Sequence, residues 1–148
     1  MPRVPRSVLP DGYFHVYCRG VAASIVFPDG ADRTAFCSFI RQCERRYEIR
    51  IHASTVLSTH YHLVVEARCA ELSRALHWLN LRYARTFNKR YSGFGHVFAE
   101  RFQTRVIEGE EHVFETCAYV LLNPVKAGLC DRVEDWPWSF SRYGLDVT

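Results

Sequence analysis

His60 and His62 are separated by one residue, and no other pair of side chains in this sequence is better placed for chemistry. Along a β-strand, residues i and i+2 project from the same face. A strand through Thr59-His60-Tyr61-His62-Leu63-Val64-Val65 therefore presents two imidazoles side by side, with the aliphatic residues anchoring it in a core. Two imidazoles aimed at one point are a common way to hold a divalent metal. Two histidines on a strand face also simply meet solvent, and on spacing alone that plainer reading is the favoured one. A second candidate group follows late in the chain. Tyr119 and Asn123 lie four apart and so share one face of a helix, together with His112, Glu115 and Thr116, while Val113, Cys117, Val120 and Leu121 make the opposite, core-facing side. A polar stripe ending in a tyrosine and an amide is what a site-bearing helix needs, and a solvated face carrying an ordinary tyrosine fits the same spacing. The other tyrosines stand in different settings. Tyr83 falls on an apolar helical stripe, Tyr91 follows a basic run where it packs or stacks, and Tyr61 points away from His60 and His62 if the strand is regular.

The elements that must position these groups are legible in outline. Tyr13 to Cys18 is rich in aromatic and β-branched residues, is bounded by Asp11-Gly12 and Gly20, and reads as a strand, with Ser24-Ile25-Val26-Phe27 as its extension. Asp32 is the expected N-cap of a first helix carrying Phe36, Phe39, Ile40, Cys43 and Tyr47 at helical spacing. Ile49 to Leu57 and Tyr61 to Glu66 are strand-like runs that pair as a hairpin across Ser58-Thr59-His60. Leu72, Leu76, Leu79, Tyr83 and Phe87 form the stripe of a second helix, and His96 to Ile107 reads as extended. The third helix starts near Glu110 and is expected to end around Asn123, because Pro124 disfavours helical geometry in the residue before it. This order matches a split βαβ, ferredoxin-like α+β arrangement.

The bulk properties are consistent with that plan. A chain of 148 residues fits one domain, 1–148, and 48% hydrophobic with 24% charged residues excludes a disordered chain. A net charge of +3 permits a nucleic-acid partner without arguing for one. The amino-terminal MPRVPRSVLPDG has no apolar signal-peptide core and no apolar run reaches membrane-spanning length, so a cytoplasmic protein with reduced cysteines and no membrane partner is expected. The six cysteines form no C-x-x-C pair, and Cys37 and Cys43 read as core residues.

The ordered set of motifs resembles a known family. The strand around His60 and His62 is similar to the His-hydrophobe-His strand of single-tyrosine HUH transposases, and more closely to that of the REP-associated tyrosine transposases. Tyr119-Val120-Leu121-Leu122-Asn123-Pro124-Val125-Lys126-Ala127-Gly128 resembles their catalytic-tyrosine segment. Cys18-Arg19-Gly20, the run from Gly95 to Phe102 and Trp136-Pro137-Trp138-Ser139 add further matches, so the resemblance spans about residues 12–143. It implies an antiparallel sheet with helices on one face, His60 and His62 as metal ligands with Asn123 as the third, Tyr119 as nucleophile and Mg²⁺ or Mn²⁺ as the metal. The implied activity is metal-dependent nicking and joining of single-stranded DNA through a 5′-phosphotyrosine. The implied partners are hairpin-bearing repetitive elements, in a bacterial, nucleoid-associated setting, acted on by a monomer or homodimer. The alternative is a domesticated nucleic-acid-binding protein that keeps the fold without turnover. Two departures stand out: Tyr61 lies between the histidines where aliphatic residues are common, and Val21-Ala22-Ala23 replaces an asparagine-rich continuation after Arg19-Gly20.

Residues 71–105 hold seven Lys and Arg against two Glu, and Arg82, Arg85 and Lys89 share one helical face opposite the leucine stripe. Such a face is commonly just solvated. With Phe94, His96 and Phe98 interleaved, it reads slightly better as a phosphate-tracking surface with stacking side chains, joined by Arg101 and, by resemblance, Lys126.

Overall fold

The computed structural model describes residues 11–99 and 101–145; the amino-terminal stretch up to Pro10 and Glu100 of the basic run lie outside them. Five strands form one sheet: β1 (Gly12–Arg19), β2 (Ile49–Val56), β3 (His60–Ala67), β4 (Gln103–Ile107) and β5 (Ser139–Ser141). Their order is β4-β1-β3-β2-β5, with every neighbouring pair antiparallel. Three helices complete the fold: α1 (Gly30–Arg46), α2 (Cys69–Arg90) and α3 (Glu110–Lys126). The expected α+β, split βαβ plan is present from β1 to β4, with α3 and β5 added.

Strand alternation divides the protein into two cores. Phe14, Val16 and Cys18 of β1 and Tyr61, Leu63 and Val65 of β3 face α1 and α2, where they join Phe36, Leu72, Leu76 and Tyr83. Rings of Phe27, Phe36, Tyr61, Tyr83 and Phe98 meet there at centroid distances from 4.6 to 6.2 Å, mostly tilted or edge-on, each pair adding roughly 0.5–1.5 kcal/mol beyond its buried area. On the other face, Ala53, Val64 and Ile107 pack against Val113, Cys117 and Val120 of α3. The helices therefore do not all share one face. α1 and α2 do, whereas the apolar stripe of α3 is buried across the sheet. A register shift between Ile51 and Ala53 brings the single-carbon side chain of Ala53 under α3.

Several local expectations change. Asp29, not Asp32, caps α1: its carboxylate accepts the Asp32 N–H at 3.0 Å. Asp32 lies one turn inside, buried, where it takes Arg90 at 2.7 Å and accepts the Tyr91 hydroxyl. Ser24 to Phe27 is not a strand; Val21–Ala23 forms a short 3-10 turn, and the N–H groups of Val26 and Phe27 both reach the Ser58 carbonyl at 3.0 Å. Of the run from His96 to Ile107, only Gln103–Ile107 is a regular strand, with a lone bridge from Phe98 to Gly20. The hairpin strand begins one residue earlier than expected, at His60. Helix α3 runs past Pro124 to Lys126. Gly128 at φ 75° closes it, with the N–H of Gly128 on the Val125 carbonyl at 3.0 Å and that of Leu129 on the Pro124 carbonyl at 2.9 Å. This closing motif and the burial of Pro124 outweigh the local restriction on Asn123. Cys18, Cys37, Cys43, Cys117 and Cys130 are free thiols. Among the described residues no helix is long and apolar enough to cross a membrane.

Candidate functional site

β3 supplies two of the site's side chains by simple alternation. With Tyr61, Leu63 and Val65 committed to the α1/α2 core, His60, His62 and Val64 must face α3. Val64 is wholly buried beneath α3, which holds the neighbouring imidazoles on a rigid base. Helix α3 lays Tyr119 and Asn123 along the same space. His60, His62, Tyr119 and Asn123 line one open cleft of about 740 Å³, so the sequence-predicted core of the site is brought together.

Strand β1 contributes residues that sequence reasoning misses. Its outward positions His15, Tyr17 and Arg19 also line the cleft, and β4 adds Arg105. Tyr17 pairs directly with His62 across the ladder, Arg19 with His60, and Arg105 with His15. The signal is present in the strict alternation of Phe14, Val16 and Cys18 with Tyr13, His15, Tyr17 and Arg19, which marks a strand with one chemically rich face.

The imidazoles form a connected row. Nε2 of His15 lies 3.0 Å from Nδ1 of His62, with the two ring planes 26° from parallel and their centroids 5.2 Å apart. The Tyr17 ring lies against His62 at 5.6 Å. The Tyr119 ring meets His15 edge-on at 5.8 Å and His62 at 6.2 Å. Nearly half of Tyr119 (47%) is exposed, where it lines the cleft.

Electrostatics keep this row uncharged. Burial pushes the His62 pKa down to about 3, with His15, His60 and Arg19 adding to the effect. Burial and Arg19 lower that of His60, and burial and Arg105 lower that of His15. Neutral imidazoles offer lone pairs. His62 Nε2 is buried and has no hydrogen-bond partner among the described residues, which would be a standing cost in a site built only for packing. His60 uses Nδ1 to meet the Thr59 hydroxyl at 3.0 Å, so Nε2 is the nitrogen that contact leaves available. The Asn123 amide donates to the Tyr119 carbonyl at 3.5 Å, and its oxygen has no bond among the described residues. No group of three or more His, Cys, Asp or Glu suited to a metal occurs among the described residues. The imidazoles of His60 and His62 and the amide of Asn123 line one cleft, and nitrogen and oxygen donors of these types could hold a divalent cation.

The predicted DNA-contacting residues divide. Lys126 joins the site, its Nζ standing 5.1 Å from the centre of the Tyr119 ring. Arg82, Arg85 and Lys89 are exposed on α2, across the sheet from the cleft, and Arg101 lines a separate groove with His96 and Phe98. Arg82 lies over the Phe39 ring at 4.6 Å and donates to Thr86 at 3.2 Å.

This two-faced α+β fold, with a tyrosine helix set against a paired-histidine strand, has a family to match. The chain belongs to the IS200-like transposases, whose sequence profile matches residues 11–121. Its fold is similar to that of a REP-associated tyrosine transposase solved bound to a REP hairpin, with a TM-score of 0.76 and 20% identity over 100% of this chain and 94% of that one. A putative transposase from Deinococcus radiodurans R1 is similar with a TM-score of 0.53 and 13% identity, covering 80% of this chain and 95% of that one. No curated protein sequence matches the chain.

Proposed function

We propose that the chain is a metal-dependent DNA strand transferase that cuts and rejoins single-stranded DNA through a covalent bond to Tyr119. The observation that carries the proposal is the placement of an exposed tyrosine edge-on against a buried imidazole whose Nε2 has no partner among the described residues. His60 and His62 would hold a divalent metal, Mg²⁺ or Mn²⁺, with Asn123 as third ligand, and the bound ion would supply Lewis-acid neutralisation of charge on the scissile phosphate. The phenol oxygen of Tyr119 attacks phosphorus, the P–O3′ bond breaks, and the products are a 5′-phosphotyrosine and a free 3′-hydroxyl. Rejoining runs the same exchange in reverse, one phosphodiester for another, so no nucleotide energy source is consumed. His15 and His62 form the wall that fixes the direction of the Tyr119 ring. Arg19, Arg105 and Lys126 surround the reacting position with positive charge and suit the phosphates on either side of it. Arg85 and Lys89, which form no ion pair among the described residues, and Arg101 are proposed as contacts to more distant parts of the DNA, with Arg82 a weaker one because its guanidinium already has partners.

The similar transposase bound to a REP hairpin supports a substrate of the same kind, a DNA hairpin with an adjoining single strand. The test is incubation of the wild-type chain and Tyr119→Phe with such labelled DNA and Mn²⁺. A denaturant-stable protein–DNA adduct is expected from the first alone. DNA binding without an adduct from either chain would support the non-catalytic alternative.

A further inference from the structure

We propose that His15 is a positioning residue for the metal centre, and that it acts by holding the His62 ring in one tautomer. The inference rests on the reading of His60 and His62 as ligands. An imidazole has two nitrogens, and a neutral ring carries a lone pair on one and a proton on the other. For His62 to present a lone pair at Nε2, its proton must sit on Nδ1. That proton needs an acceptor, since a buried N–H without one is costly. The group at the required place is Nε2 of His15, 3.0 Å away. No water or carboxylate is needed to complete the link. With the hydrogen bond formed through Nδ1, the remaining nitrogen of His62 is the buried Nε2 that has no other partner among the described residues.

The position of His15 is enforced from the backbone. It is on β1 opposite Val64, two residue pairs along the ladder from Tyr17 and His62, so it reaches His62 diagonally across the same face. Tyr17 lies against His62 with ring centroids 5.6 Å apart, but among the described residues it makes no hydrogen bond to that ring. His15 thus performs the orienting task usually given to a carboxylate or a backbone carbonyl behind a metal-bound histidine. An uncharged acceptor leaves the net charge of the centre to the ion and the DNA phosphate.

The test uses the full chain and two readouts. Nitrogen-15 long-range correlation spectra of the histidine rings, recorded without metal, report the tautomer of His62. Calorimetric titration with Mn²⁺ reports affinity. In the wild-type chain the Nδ1–H form of His62 is expected. His15→Gln, whose amide oxygen can occupy the place of Nε2, should keep that tautomer and most of the affinity. His15→Leu should lose the tautomer preference and weaken Mn²⁺ binding by about 10- to 100-fold. His15→Asn, too short to reach, should behave like His15→Leu and decides the matter if the leucine chain does not fold. A wild-type His62 in the Nε2–H form, or a His15→Asn chain with unchanged tautomer and unchanged Mn²⁺ affinity, would overturn the proposal. A wild-type chain that keeps the Nδ1–H tautomer but takes up no Mn²⁺ would instead remove the metal reading on which it rests.

Discussion

The phenol of Tyr61 donates a 2.6 Å hydrogen bond to Oδ1 of Asn80, on the opposite side of the sheet from His60 and His62. Tyr61 is fully buried, and burial raises its pKa well above the ordinary value. It is therefore a core residue that happens to lie between two site histidines. Tyr61→Phe leaves Asn80 Oδ1 without its donor and is expected to cost about 2 kcal/mol, lowering Tm by about 4–8 °C. Adduct formation should persist at temperatures where the variant is folded. An unchanged Tm with no adduct would move Tyr61 into the chemistry.

Arg19 and Arg105 face the cleft, while Arg85 and Lys89 face solvent across the sheet. Binding of a hairpin with a single-stranded extension, measured from low to high salt, should separate the two groups. Removing one cation that neutralises a single-strand phosphate should reduce the slope of log K against log salt by about 0.7. Arg19→Gln and Arg105→Gln should each show that reduction together with a slower adduct yield. Arg85→Gln and Lys89→Gln should affect the slope without altering the yield from saturating DNA. The reverse pattern would place the reacting strand on α2.

Ala22 and Ala23 both adopt left-handed backbone, at φ 52° and 57°. A Cβ makes that conformation costly, and asparagine or glycine tolerates it better. Ala22→Gly is expected to stabilise the chain by about 0.5–1 kcal/mol, and Ala22→Asn by less. Thermal unfolding with lowered Tm for both would show that the loop holds another conformation in solution.

Much of the site is legible in the sequence because it depends on local periodicity. The i, i+2 spacing of His60 and His62 and the i, i+4 spacing of Tyr119 and Asn123 place each pair on one face, whatever the rest of the chain does. What is not legible depends on pairing between distant segments. His15, Tyr17 and Arg19 become site residues only because β1 lies beside β3 in the register that sets Tyr17 opposite His62. The position of α3 across the sheet follows from the bulge that turns Ala53 towards it, a two-strand feature that no single run of residues announces. The stripe of Arg82, Arg85 and Lys89 illustrates the opposite case. Its helical spacing is real, but spacing does not say which side of the sheet the helix covers. Pro124 and Asp32 depart from expectation for a related reason, since burial and long-range partners override local rules.

The most direct test of the central claim is to locate the DNA linkage. Trypsin releases residues 106–126 as one peptide, and that peptide contains a single tyrosine, Tyr119. After reaction with a hairpin-bearing strand and digestion of the DNA, mass spectrometry should find a nucleotide remnant joined through its 5′-phosphate to this peptide, with fragmentation assigning it to Tyr119. A remnant on a peptide carrying any other tyrosine, or cleavage with no remnant on the protein at all, would contradict covalent catalysis by Tyr119.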